Sequence, residues 1–271
     1  MQSDFGLLDG AVASMRGVAV GVSPDIHIYD LTHEIEPFNI WQGALRLAQT
    51  AEYWPAGTVF VSVVDPGVGT ERKSIVLKTK SGHYFVTPDN GTLTFVAPRL
   101  GIEAVREIDE AVNRRKKSEK SFTFHGRDVY AYTAARLAAG VITFEQVGPG
   151  LPPKVVTIPH EVARFENGVV YGNVQTDDGN YGNIWTNVDR ATFEKLQVPI
   201  GESVAIKLFK SGEKVLELRL PYVRTFGDVD AGKSLAYLNS LDNLSLAINQ
   251  KSFAREYGVG SGPEWSIQIR R

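Results

Sequence analysis

Through the first half of the chain, apolar runs of strand length alternate with helical periodicity, and few folds accept that order. Ala11, Val12, Met15, Val18, Ala19 and Val22 recur at helical spacing. The segment "IHIYD" (26–30) reads as a strand, "NIWQGALRLAQTAEYW" (39–54) as an amphipathic helix, and "TVFVSVVD" (58–65) as an almost wholly apolar run of the kind found in buried parallel strands. A hairpin turning around Ser81-Gly82 follows in 74–89, and a helix from about Asp128 to Leu137 stops near Gly140. Such alternation predicts an α/β layer with a mostly parallel sheet.

The second half changes character. "GVVYGNVQTDD" (168–178), "GNIWTNV" (182–188) and "SVAIKLFKSGEKVLELRLPYV" (203–223) are strand-like with Gly and Asn punctuation, which predicts a smaller all-β, barrel-like domain. Between the halves, "GPGLPPKVVTIP" (148–159) is rich in proline and glycine, a stiff connection suited to a domain boundary. We place the domains at 1–160 and 161–271, a division that the total of 271 residues readily supports. The single charge run, "NRRKKSEK" (113–120), reads as a solvated loop.

Composition excludes several classes. The 31 acidic and 29 basic residues leave a formal charge of -2, so the electrostatic footprint of a nucleic-acid binder is missing. No apolar run approaches the roughly 20 residues that span a bilayer, and Asp4 stands where a signal peptide would be apolar; a cytoplasmic protein without a membrane partner is expected. With no cysteine, thiol nucleophiles and thiolate metal sites are ruled out. His27, Asp30 and His33 lack any recognised ligand spacing, so no metal is expected.

Four apolar runs end in aspartate: Asp4, Asp30, Asp65 and Asp89. In open α/β sheets ligands bind outside the carboxyl ends of the strands, so these carboxylates are expected on one rim, favouring a cationic or polyhydroxyl ligand over a phosphate. Each aspartate is also a good turn former. "DPGVGTER" (65–72) has neither the third glycine of a dinucleotide fingerprint nor the Gly-Lys-Ser/Thr of a Walker loop, and it leaves Asp65 and Arg72 at either end of a turn. His125, in "FHGRD", precedes a helical stretch, and a lone histidine of this kind is more often structural than catalytic. In "DDGNYGNIWTN" (177–187), asparagine amides beside Tyr181 and Trp185 match a purine edge and a stacking face; a hairpin with Asn-Gly turns accounts for the same residues.

Taken together, "SDFG", "DLTHEIEPFNIWQGA", "GTVFVSVVDPGVGTER", "PDNG", "FHGRDVYA" and "DDGNYGNIWTN" resemble the S-adenosylmethionine hydrolase family, also called SAM hydroxide adenosyltransferases, relatives of the fluorinase and chlorinase enzymes. The likeness runs through nearly the whole chain in the same order. It implies an N-terminal α/β domain, a C-terminal barrel-like domain, and a homotrimer whose active sites join one subunit's N-terminal domain to a neighbour's C-terminal domain. It also implies that Asp65, Arg72 and His125 hold and activate a water. By the same likeness Asp4 binds the ribose hydroxyls, Phe38 lines the pocket, Asp178 meets the methionine amino group, and Tyr181 and Asn183 hold the adenine. Ser240 and the backbone around Ile248 belong to the family's last substrate segment. The chain departs from the family at Ser245, where many members carry glutamate, and in a short first strand.

The implied reaction is attack of water on the 5′ carbon of S-adenosyl-L-methionine, giving adenosine and L-methionine with no cofactor. Two alternatives stand beside it: a halide-dependent 5′-halogenase, and a non-catalytic sensor of adenosine or S-adenosylmethionine. Against the first, an anionic nucleophile is repelled by Asp65; against the second, the Asp65, Arg72 and His125 set is intact.

Overall fold

In the computed structural model, which describes all residues from Met1 to Arg271, the chain divides into two compact units, Met1–Ile158 and Pro159–Arg271. The first runs β1 (Gln2–Ser3), α1 (Ala11–Val22), α2 (Ile40–Thr50), β2 (Val59–Val63), β3 (Ser74–Thr79), β4 (Tyr84–Pro88), α3 (Val96–Leu100), β5 (Ile102–Glu107), α4 (Glu110–Asn113), α5 (Tyr132–Ala138) and β6 (Gly150–Leu151). A π-helical turn, Gly126–Ala131, leads directly into α5. The second runs β7 (Arg164–Glu166), β8 (Val169–Asp177), β9 (Ile184–Asp189), α6 (Arg190–Glu194), β10 (Ser203–Lys210), β11 (Glu213–Pro221), β12 (Ser234–Leu238), β13 (Asn243–Ile248), α7 (Phe253–Tyr257) and β14 (Trp265–Arg270).

The apolar run of β2 is explained by burial on both faces. Successive side chains of a strand point to opposite sides. Val61 and Val63 therefore pack with Met15 of α1 and Val129 and Tyr130 of the π-helical turn, while Phe60 packs with Leu47 and Ala48 of α2. Strand order in this sheet is β1-β2-β4-β3-β5-β6. Pairings β1/β2 and β2/β4 are parallel, whereas β4/β3, β3/β5 and β5/β6 are antiparallel. The α/β class is as expected, but the sheet is mixed instead of mostly parallel. The cause is local: β3 and β4 are joined by the Ser81-Gly82 hairpin, which forces antiparallel pairing and sets the direction for the strands beyond it.

Residues 26–30 are not a strand. β1 spans two residues and offers one parallel bridge, Gln2 to Thr32, so the segment beside it has no ladder to join.

The second unit is an antiparallel sheet ordered β11-β10-β14-β8-β9-β13-β12. Tyr222, just past β11, bridges Ala236 of β12, so the sheet curls into a nearly closed barrel and leaves little unpaired edge. β8 makes the corner, pairing with β14 over Val170–Asn173 and with β9 from Val174 onward, with an irregularity between Val174 and Thr176. Its interior is filled by alternating residues such as Val170, Val174, Ile206, Leu208, Ile267 and Ile269.

Gly172 sits in β8 where a Cβ would lie 2.5 Å from Val188 Cγ2 and 2.8 Å from Asn187 Oδ1. Gly172→Ala should therefore overpack the barrel and lower stability by about 1–3 kcal/mol. Urea unfolding followed by tryptophan fluorescence checks this; an unchanged midpoint would show that the barrel wall yields.

Candidate active site

Strands β1, β2 and β4 are adjacent and parallel, so their carboxyl ends leave the sheet along one edge. Asp4, Asp65 and Asp89 follow those three ends and share that rim. Asp30 does not. It pairs instead with Arg16 and accepts from His33 Nε2 at 3.2 Å, while Ser3 Oγ donates to His33 Nδ1 at 2.7 Å. Burial, with help from the N-terminal amine and Arg16, pushes His33 down to about 4. The neutral ring thus acts as a buried tie between β1 and the 30–33 segment. Nowhere do three His, Asp or Glu side chains converge as metal ligands.

Each rim aspartate is already engaged. Asp89 Oδ1 accepts the Val156 N–H at 2.8 Å, and burial raises its pKa. Asp4 Oδ2 accepts the Phe38 N–H at 2.9 Å. Phe38 adopts φ 69°, a left-handed conformation that disfavours a bulky residue, yet its ring is 72% exposed. The Asp4 carboxylate helps to hold that strained backbone, which presents an aromatic face to solvent.

Asp65 sits at the head of the turn that follows β2, and Arg72 returns to it. Arg72 Nε donates to Oδ1 at 2.9 Å and Oδ2 at 3.1 Å, and Nη2 donates to Oδ2 at 2.5 Å. Arg72 Nη1 donates to Ser74 Oγ at 3.0 Å, Ser74 Oγ shares a hydrogen bond with Tyr130 OH at 3.1 Å, and Tyr130 OH reaches back to Asp65 Oδ2 at 3.5 Å. The four side chains close a polar ring. Burial, reinforced by the Asp65 charge, pushes the Tyr130 hydroxyl far above its ordinary range, so it stays protonated and can donate.

His125 enters beside this ring. Gly126 lets the chain approach β2 closely, since a Cβ there would meet Phe5, Val63 and Phe124 at 3.2–3.3 Å. The π-helical turn then aims Tyr130 inward, 6.5 Å between ring centres from His125. His125 is buried, and its Nδ1 has no hydrogen-bond partner. Its Nε2 meets Arg114 Nη2 at 3.1 Å and Glu110 Oε1 at 3.5 Å. A hydrogen-bonding contact with the His125 ring and, after the opposing effect of burial, the Arg114 fork hold Glu110 down to about 2.

The charge run at 113–120 is only partly the solvated loop that was expected. Asn113 and Arg114 are buried, and Arg115 Nε donates at 2.8 Å to the buried Asp128. Lys116, Lys117, Glu119 and Lys120 face solvent, while the first three residues complete the frame around His125 and the π-helical turn.

The second unit carries its own cavity, about 770 Å³, which gathers Asp178, Tyr181, Asn183, Ser240 and Ile248 with Trp185, Phe226 and Tyr237. The turn between β8 and β9 is closed by Asp178, whose Oδ1 accepts the Asn183 N–H at 3.0 Å and whose Oδ2 accepts Asn183 Nδ2 at 2.5 Å. Gly182 serves this turn with φ 70°, and a Cβ there would collide with Ser252 Oγ at 2.0 Å. The Tyr181 ring is 72% exposed at the mouth. Ser245 is buried in β13 and accepts from Asn239 Nδ2 at 2.9 Å, a structural use of the position.

Thus the first unit brings Asp65, Arg72 and His125 around Tyr130, with Asp4 and Phe38 joined on the same rim, and the second gathers the remaining five. Sequence reasoning missed Ser74, Glu110, Arg114 and Tyr130. Tyr130 lies five residues past His125, a spacing that an ordinary helix would not align but the π-helical turn does.

Comparison with known proteins bears on both units. A model of the SAM hydroxide adenosyltransferase N-terminal domain matches residues 1–148, and one of the C-terminal domain matches 172–266. An (R)-S-adenosyl-L-methionine hydrolase of Salinispora tropica is 37% identical over 264 residues, covering 96% of this chain and 93% of its own. A fluorinase of Nocardia brasiliensis is 31% identical, covering 99% and 95%. The crystal structure of an uncharacterized conserved protein from Thermotoga maritima superposes with a TM-score of 0.89 at 36% identity, covering 100% of this chain and 98% of that one.

Two outcomes follow from the geometry of the first unit. Tyr130→Phe keeps the ring but strips a partner from Ser74 and Asp65, and should lower stability by about 1–3 kcal/mol; an unchanged unfolding midpoint would mean the ring contributes nothing. Because Glu110 is held below its unfolded value of 4.5, its contribution is present above that pH and fades as pH falls toward about 2. The stability gap between wild type and Glu110→Gln should accordingly shrink between pH 5 and about 2, as urea titrations across that range would read.

Proposed function

We propose, since this chain belongs to the SAM hydroxide adenosyltransferase family, that it hydrolyses S-adenosyl-L-methionine to adenosine and L-methionine. One observation carries the reading: Asp65 and Arg72 pair at the carboxyl end of β2, Tyr130 touches both, and His125 beside Tyr130 carries a buried, unpartnered ring nitrogen. The oxygen of water attacks the 5′ carbon, the C5′–S bond breaks, and its electron pair returns to sulfur as a neutral thioether. No acid is needed for that leaving group. The nucleophile needs a proton acceptor, and general-base help of this kind is typically worth about 10²–10⁴-fold.

Arg72 holds Asp65 in one orientation and His125 fixes the water. Asp4 takes the ribose hydroxyls and Phe38 walls the pocket. In the second unit Tyr181 stacks on the adenine. Asn183 has one amide N–H committed to Asp178, which orients the carboxamide and leaves its oxygen to accept from the adenine amino group. Asp178 meets the methionine amino group, and Ser240 with the Ile248 backbone completes the substrate contacts. We assign the water-activating residues to a domain over 1–160 and the adenine- and methionine-binding residues to one over 161–271. A homotrimer in which neighbouring copies complete one another's sites and a cytoplasmic location without a membrane partner belong to the same proposal; no helix is long and apolar enough to cross a membrane. The R epimer at sulfur, which the relatives' names specify, is the preferred substrate.

Hydrolysis in H₂¹⁸O with excess chloride and fluoride tests the chemistry. The label should appear in the 5′ oxygen of adenosine; 5′-halogenated adenosine would make the chain a halogenase, and adenosine binding without methionine release would make it a sensor. Asp65→Asn and His125→Ala should each cut turnover by at least about 10²-fold with adenosine affinity retained, and unchanged turnover in both would sink the assignment.

A further inference from the structure

We propose that Arg114 and Glu110 are positioning residues that fix the tautomer of His125, so that its free ring nitrogen, Nδ1, is a hydrogen-bond donor and not a base. The inference rests on the hydrolytic reading of the same cluster and adds a division of labour to it.

The Nε2 edge of His125 faces two rivals. Arg114 Nη2 lies at 3.1 Å and Glu110 Oε1 at 3.5 Å. A guanidinium carries five donors, no acceptor, and does not lose its proton in proteins, so the shorter contact is a hydrogen bond only if Nε2 offers its lone pair. The low pKa of Glu110 pulls toward an Nε2–H, but that carboxylate sits farther off and its other oxygen already takes two bonds from Arg114, so the shorter contact decides and puts the proton of the neutral ring on Nδ1. That atom is buried and finds no partner within the protein. An unpaired buried donor is unfavourable by about 1–3 kcal/mol, which a ligand acceptor such as a water or ribose oxygen would relieve.

Arg114 is itself pinned. Its Nε and Nη2 donate to Glu110 Oε2 at 3.0 and 2.8 Å, its Nη1 reaches the Ser121 carbonyl at 3.3 Å, and its guanidinium lies 4.8 Å from the centre of the Phe122 ring. Take Arg114 away and Glu110 is the partner left at Nε2. A carboxylate there demands Nε2–H, which moves the lone pair to Nδ1 and reverses the polarity of the free edge. With Nδ1–H as donor, His125 holds the water or the sugar by an oxygen. The water's proton goes to the Asp65 carboxylate as the O–C5′ bond forms and the C5′–S pair returns to sulfur.

Long-range ¹H–¹⁵N correlation spectra of the substrate-free full-length protein, labelled at histidine and recorded where imidazole is neutral, read the tautomer directly. His125 is identified by its loss in His125→Gln. The wild type should show protonated Nδ1 and bare Nε2; the opposite pattern overturns the proposal. Arg114→Met should move His125 to the Nε2–H form, while Arg114→Lys, which keeps a donor, should retain mostly Nδ1–H. In hydrolysis assays Arg114→Met should lose roughly 10- to 100-fold in kcat with KM little changed, and Arg114→Lys should recover most of it. A flipped tautomer with unaltered kcat would overturn the positioning role. The spectrum reports the tautomer whether or not hydrolysis is detected, so failure of the tautomer and failure of the hydrolytic reading are separable.

Discussion

The Asp65–Arg72 ion pair is the contact on which the rim of the first unit depends. Both side chains are nearly buried, with 6% and 11% exposure. Removing two charges from water costs several kcal/mol per ion and is offset only when the remaining donors and acceptors are satisfied. Here they are satisfied by residues from separate elements. Arg72 lies in the turn after β2, Ser74 opens β3, and Tyr130 comes from the π-helical turn. Closing the ring therefore fixes three elements against one another, and a shift in any of them would strand a buried polar atom. The turn after β2 is glycine-rich and none of residues 65–73 is fully buried, so this ring, more than the apolar core beneath it, sets where the carboxylate points.

The π-helical turn is the second element that cannot be exchanged for a regular one. Widening the helix by one residue lets Tyr130 face the ion pair while His125 stays at the entry. The turn is held in place by charge: burial raises the pKa of Asp128, but the Arg127 and Arg115 side chains more than reverse that and keep it low. Arg115 and Arg114 come from the same short basic stretch, one holding Asp128 and the other His125. A run that composition alone would assign to solvent is thus divided by the fold, its first residues buried against acidic and imidazole partners and its later lysines exposed.

Periodicity carried much of the architecture. The helical spacing of residues 11–22 became α1 with the same bounds, the apolar run at 58–65 holds β2 at Val59–Val63, and the Ser81-Gly82 hairpin formed as expected. What periodicity does not encode is which strands become neighbours, so the mixed sheet was hidden even though the hairpin that causes it was visible. "IHIYD" has strand propensity without a partner long enough to use it. In the candidate site, the aspartates at strand ends were legible because strand ends punctuate the pattern. Ser74, Glu110, Arg114 and Tyr130 were not, since each acts on another side chain across the fold and none sits in a motif of its own. The aspartate count also misled in one respect: Asp30 follows an apolar run, but its carboxylate is directed to Arg16 and His33.

The pairing of the rim aspartates bears on how such a site would treat a sulfonium. Free carboxylates would bind the cation strongly before reaction. Positive charge is lost from sulfur as the C5′–S bond breaks, so that attraction would stabilise the ground state more than the transition state and slow the chemical step. A pair such as Asp65 with Arg72 has no net charge and gives a cation little electrostatic hold. It still presents an oriented carboxylate toward a water and, in a dry setting, acts without reorganising solvent. Asp178 differs, since its oxygens accept two bonds from the neutral Asn183 and it keeps its negative charge for the amino group that it is proposed to meet. In the proposed reaction the cation is recognised by shape, aromatic faces such as Tyr181 and polar groups on the adenine and ribose, while the paired charges are reserved for the atom that attacks.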